Sequence, residues 1–202
     1  YPDLDIILVF PEAFLEEGRA MVATFMPGVR FRVTTGGSTR FHSVQNGLRL
    51  VSEPSVIFVH DAVRCLVTAD LIRTCHDEAV LKGSAIPVIA VRDSLRRRTG
   101  DLSVVVDRDG MVQVQTPQTF RSDVILPASR QVFRAGFTDE ATVVEASGVE
   151  VNLVQGEETN IKLTLPADLV MAEMIWDRRQ AWSIGCPRCR TYNDPSHIGR
   201  MD

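Results

Sequence analysis

Three short apolar runs constrain this chain more than anything else in it. They are Asp5–Phe10 (DIILVF), Ser55–Val59 (SVIFV) and Ser84–Val91 (SAIPVIAV). Each is continuous rather than alternating and too brief for a helix, so each reads as a strand covered on both faces. Helical stretches lie between them. Pro11 and Glu12 open one that reaches about Met26, and the short strand Arg30–Thr34 is followed by another from about Thr39 to Val51. Thr68 reads as the N-cap of a helix to about Lys82, with Gly83 as its stop. Strands alternating with helices predict an α/β fold with a mainly parallel sheet.

The pattern changes after residue 91. Val104–Asp107 and Met111–Gln115 flank Asp107-Arg108-Asp109-Gly110, and Asp-Gly between β-rich runs predicts a hairpin with Arg108 in its turn. Helices are expected at about 121–135 and 139–147, a strand at Gly148–Val154, and a helix over Pro166–Arg179 with proline in its first turn. A chain of 202 residues suits one domain.

Composition narrows the function. A formal net charge of −4 gives no general attraction to nucleic acid or anionic membrane, so any phosphate site must be local. No apolar run approaches the roughly 20 residues that span a bilayer, and Tyr1–Asp5 carries no basic leader region. The default expectation is the cytoplasm. Four cysteines do not make a disulfide framework in a chain of this length. Cys186 and Cys189 form one CxxC near the end. With His197 they fall short of a zinc site, and an unstructured tail is the plainer reading.

Polar residues gather just after the expected strands: Gly36-Gly37-Ser38, Asp61, Asp93-Ser94 and Gly156–Lys162. Ligands of open α/β sheets bind at that rim, although every strand in such a fold also ends in a polar loop. Gly-Gly before a helix either admits a ligand to the backbone or simply turns the chain. Asp61 either shares Mg²⁺ with phosphates or pairs with Arg64. Lys162 is either a point charge for phosphate or a surface lysine. It is one of only two lysines beside 20 arginines. His60 reads as structural, and Thr116-Pro117-Gln118 as a plain extended segment.

Taken in order, TGGSTRFHSVQNGL (35–48), VHDAVR (59–64), VRDSL (91–95), VDRDGMVQVQTPQTF (106–120), TDEATVVEASG (138–148) and LVQGEETNIKLTLPADLVMAE (153–173) resemble the 2-C-methyl-D-erythritol 4-phosphate cytidylyltransferase family. The likeness covers roughly residues 5 to 176. It implies a Rossmann-like nucleotidyltransferase fold with a protruding β-arm at about 92–116, a domain over 1–182, and a tail of unknown role over 183–202. It implies a homodimer joined by the arm, and attack of a polyol phosphate on CTP with Mg²⁺ and loss of pyrophosphate. Carried onto this sequence, Gly36, Gly37, Ser38 and Ser43 would meet the cytosine. Asp61 would hold the metal, with Ala62 near the ribose. Arg40, Arg64 and Ser94 would meet the acceptor, Arg108 would position its phosphate from the partner subunit, and Lys162 would lie near the reacting phosphates.

The resemblance has gaps. Family members begin with a strand and a glycine-rich phosphate loop that have no counterpart here, so the sheet is expected to lack a central strand. These residues alone are expected to bind CTP weakly or not at all. Cys65 stands where the family usually has proline. Two rival readings remain at this point: a ribitol-5-phosphate cytidylyltransferase, and a dimeric nucleotide-binding protein without catalysis.

Overall fold

The computed structural model describes residues 4–51 and 54–183. The first ladder is small and parallel. Strand β1 (Ile6–Phe10) pairs with β2 (Phe31–Thr35), and a 3-10 turn (Glu12–Phe14) plus helix α1 (Leu15–Phe25) connects them. Helix α2 (Arg40–Leu48) lies against both strands. Its start is fixed by Thr39, whose hydroxyl accepts the His42 N–H as an N-cap. Residue 37 must be glycine here, because a Cβ would overlap the Cβ of His42.

The main sheet holds β3 (Val56–Val59), β4 (Ser84–Ala90), β7 (Val112–Val114), β8 (Gln118–Arg121) and β9 (Leu153–Gln155). Strand β8 lies between β3 and β4 and is antiparallel to both. Strand β7 continues that line, antiparallel to the far half of β4, and the Gln115 N–H donates to the Pro87 carbonyl between them. On its other edge β4 pairs parallel with β9.

The mainly parallel sheet expected from the apolar runs is therefore corrected. The fold is α/β, but the segment 112–121 returns between the parallel-directed strands and makes most pairings antiparallel. Among the described residues, the β1–β2 ladder makes no strand pairing with the main sheet.

Helix α3 (Ala69–Lys82) packs on β4 and β8. Thr68 caps it, accepting from Leu71 N–H, and Gly83 ends it at φ 91°, a left-handed conformation that favours glycine. Leu71, Cys75, Ala79 and Ala85 form one apolar cluster with Val154 on this side. A larger cluster on Phe41, Ile86, Phe120, Ile125 and Val144 joins α2, the sheet, α4 (Ser122–Ala128) and α5 (Glu140–Glu145). Helix α6 (Pro166–Ser183) follows.

The hairpin is also displaced from its expected place. Strands β5 (Leu95–Thr99) and β6 (Leu102–Val106) pair with each other and turn at Gly100-Asp101. Asp107–Gly110 is instead the return from this arm to β7, so Arg108 sits at the arm's root. There its guanidinium donates to the Arg92 carbonyl. The arm is exposed, including Leu102, Val104 and Val105. Cys186, Cys189 and His197 lie outside the described residues.

Candidate active site

Asp61 follows β3 directly, and its position is set by a buried hydrogen-bonded hub. The Asp61 N–H donates to Thr116 Oγ1 at 3.0 Å. His60 Nδ1 is 3.0 Å from the same hydroxyl, and its Nε2 is 3.1 Å from the Arg64 carbonyl. A carbonyl only accepts, so Nε2 carries the proton and Nδ1 accepts from Thr116. Burial depresses the His60 pKa, which agrees with this neutral form.

The loop after β9 is tied to the same hub. Gln115 Nε2 donates to the Glu157 carbonyl at 2.8 Å, and its Oε1 accepts the Glu157 N–H. Asn160, fully buried, donates from Nδ2 to the Thr116 carbonyl at 2.8 Å. The Leu163 N–H donates to the Val63 carbonyl, which joins the two loops directly. Backbone polar groups that leave water must be paired, and these loops pair with one another.

Three cations consequently meet one carboxylate. Lys162 Nζ lies 3.0 Å from Asp61 Oδ2, Arg64 Nε 3.6 Å from the same oxygen, and Arg40 Nη2 3.6 Å from Oδ1. Burial pushes the Asp61 carboxyl up. The hydrogen bond and charge of Lys162, with Arg40 and Arg64, outweigh it and hold the carboxyl below its usual range. Lys162 is half-exposed, so its remaining donors reach solvent. Arg64 is largely buried and donates to the Asn160 carbonyl at 2.8 Å.

Four strand-end segments thus converge. Arg40 brings in the region after β2, Asp61 that after β3 and Lys162 that after β9, while Arg92 pairs with Glu158 at 2.8 Å and draws in the end of β4. Gly36, Gly37 and Ser38 lie just before α2. Ser43 Oγ accepts the Gly37 N–H and donates to the Thr39 carbonyl, so it holds that turn. Ala62 is exposed beside Asp61. Among the described residues no hydrogen bond or ion pair joins Ser94 or Arg108 to the Asp61 cluster, and both are exposed.

Sequence reasoning assigned no role to Glu140, Gln115, Thr116 or Asn160. Glu140 is almost fully buried and takes both terminal nitrogens of Arg40, at 2.5 and 2.8 Å. Glu140 opens α5, where an acid is common because it complements the helix dipole, so no sequence signal set it apart.

An α/β fold whose strand-end loops gather cations around one carboxylate concentrates charge where such folds bind their ligands. The family model of IspD, 2-C-methyl-D-erythritol 4-phosphate cytidylyltransferase, matches residues 4–178. The chain belongs to this family. A protein of that name from Bacteroides fragilis is 42% identical over 172 residues, covering 85% of this chain and 78% of its own length. One from Porphyromonas gingivalis is 42% identical over 176 residues, with coverages of 86% and 79%. Among solved structures, a 4-diphosphocytidyl-2C-methyl-D-erythritol synthase superposes with a TM-score of 0.72 at 33% identity, covering 84% of this chain and 81% of its own. The Thermus thermophilus enzyme gives 0.68 at 30%, with coverages of 86% and 100%.

Proposed function

We propose that this chain transfers a cytidylyl group from CTP to 2-C-methyl-D-erythritol 4-phosphate in isoprenoid precursor synthesis. A phosphate oxygen of the acceptor attacks the α-phosphorus of CTP. The bond to the oxygen bridging to the β-phosphorus breaks, and pyrophosphate leaves. Such a step asks little covalent chemistry of the protein. It asks for fixed positions and for positive charge where negative charge collects.

The observation that carries this reading is the Lys162–Asp61–Arg40 cluster in a chain that belongs to a cytidylyltransferase family. Lys162 is half-exposed, which leaves it open to an incoming phosphate, and Arg40 approaches the other carboxylate oxygen of Asp61. Gly36, Gly37, Ser38 and Ser43 would meet the base, and Ala62 the ribose.

Magnesium belongs to this proposal. Among the described residues no three His, Cys, Asp or Glu side chains gather to hold a metal alone. Asp61 offers one carboxylate beside a phosphate site. That donor set fits an ion whose other ligands are phosphate oxygens and water, as Mg²⁺ prefers. Bound there, the ion would supply further charge neutralisation.

The arm supports a homodimer, with Arg108 offered to the acceptor's phosphate in the partner subunit and Ser94 meeting the acceptor. Leu102, Val104 and Val105 expose an apolar strip on a hairpin that stands off the main sheet. Among the described residues no helix is long and apolar enough to cross a membrane.

The test is pyrophosphate release from CTP and Mg²⁺ with each acceptor in turn. Release with 2-C-methyl-D-erythritol 4-phosphate and little with ribitol 5-phosphate supports the reading. Preference for ribitol 5-phosphate contradicts it, as does release with neither once a family member's glycine-rich phosphate loop is joined ahead of these residues.

A further inference from the structure

Glu140 has a place that packing alone does not explain. It lies in the first turn of α5 with its side chain only 5% exposed, whereas the side chain of Arg40 is 37% exposed. The pair is therefore asymmetric: the anion is inside and the cation looks out. Burial raises the Glu140 pKa against the pull of Arg40, so keeping a carboxylate there is costly. A buried ion pair is commonly no more stable than an apolar replacement. A fixed direction for the guanidinium is what this pair supplies.

The platform under Glu140 is rigid. Gln118, fully buried in β8, accepts the Ala141 N–H on Oε1 at 2.9 Å and donates from Nε2 to Asp139 Oδ2 at 2.8 Å. Asp139 caps α5 by accepting the Thr142 N–H at 2.9 Å. Both neighbours of Glu140 are thus pinned to a central strand through Gln118. Glu140 then grips Arg40 at both terminal nitrogens in the forked geometry that fixes a guanidinium plane. The outer edge of that plane faces Asp61 across 3.6 Å.

We propose that Glu140 is a positioning residue for the transfer reaction. It holds the Arg40 guanidinium at the mouth of the site, facing the substrate phosphates, and keeps it from folding fully onto Asp61. The proposal rests on the function stated above. It extends that function to a residue that touches neither substrate.

The test is a double-mutant cycle on kcat/KM. Glu140→Gln keeps the shape and removes the charge. Losing one charge-assisted grip corresponds to a roughly ten- to hundredfold fall in kcat/KM. In an Arg40→Ala background Glu140 has nothing to hold, so Glu140→Gln should lower the rate little further. The same fold-loss in both backgrounds, or no loss in either, overturns the proposal. Glu140→Asp keeps the charge and shortens its reach, so it should retain more activity than Glu140→Gln, and it serves where the glutamine variant fails to fold. A crystal structure of Glu140→Gln gives a readout independent of turnover. Displacement of Arg40 toward Asp61 supports the proposal, and an unmoved guanidinium overturns it. If the unmutated protein turns over neither acceptor even with a family member's phosphate loop joined ahead of it, the functional reading fails, and that crystal structure still decides the role of Glu140.

Discussion

Lys162 Nζ stands 3.0 Å from Asp61 Oδ2, and the same carboxylate is approached by Arg40 and Arg64. One anion thus anchors three cations drawn from different loops. Remove phosphate and the cluster is held together by Asp61. Add phosphate and the same cations have a second anion to meet.

Asp61→Asn should therefore unbalance the site as well as inactivate it. The folded carboxyl titrates below its ordinary value. The stabilisation it gives is present above the unfolded value of about 3.9 and is lost as pH falls through the folded one. Urea denaturation should find the variant less stable than the unmutated protein at about pH 6, with the gap closing below about pH 4. A gap that is constant with pH would count against this role.

Asn160→Ala tests the hub beneath Lys162. The change deletes the Asn160 Nδ2 bond to the Thr116 carbonyl inside a fully buried site. A loss of about 2 kcal/mol is expected in urea denaturation. The kcat should fall too, because the Lys162 loop is no longer tied to the Asp61 loop. Loss of stability with unchanged kcat would separate the hub from the site.

Thr68→Ala removes the cap of α3, whose hydroxyl accepts the Leu71 N–H and donates to Glu157. About 1 kcal/mol should be lost in denaturation, with kcat nearly unchanged. A large fall in kcat would instead make α3 one of the elements that hold the site.

The arm is tested by Leu102→Asp with Val105→Asp. Both side chains are exposed on the hairpin, so the fold should survive in each subunit. Sedimentation should show a dimer before the changes and a monomer after them. A dimer that persists, or a monomer from the outset, would dismiss the arm as the joint.

Much of this architecture was legible because its signals are local. Thr68 and Gly83 bracket α3 by capping chemistry that needs no distant partner. Two features escaped the residue patterns because strand pairing sets them, and only the family resemblance pointed to an arm at about 92–116. Arg96-Arg97-Arg98 is a charged run on its face, and it forms a strand only because Val104 and Val105 lie opposite. Asp109-Gly110 carries a hairpin signal, yet Val112–Val114 pairs with β4 rather than with the strand before the turn. The site divides in the same way. Asp61 and Lys162 stood out as candidates by their place after expected strands, with plain structural readings beside them, and the family resemblance gave them their roles. Glu140, Gln115, Thr116 and Asn160 show their roles only when the loops are packed together.

The most direct measurement compares steady-state pyrophosphate release from CTP and 2-C-methyl-D-erythritol 4-phosphate by the unmutated protein and by Lys162→Met, each with a family member's glycine-rich phosphate loop joined ahead of it. Lys162 is half-exposed, so thermal stability should fall less than in Asp61→Asn, which loses the anchor of all three cations. Loss of one preorganised cation should lower kcat by roughly a hundredfold or more. Equal turnover by the two proteins, with the fold intact in both, would contradict the central claim that the charge gathered around Asp61 performs the transfer.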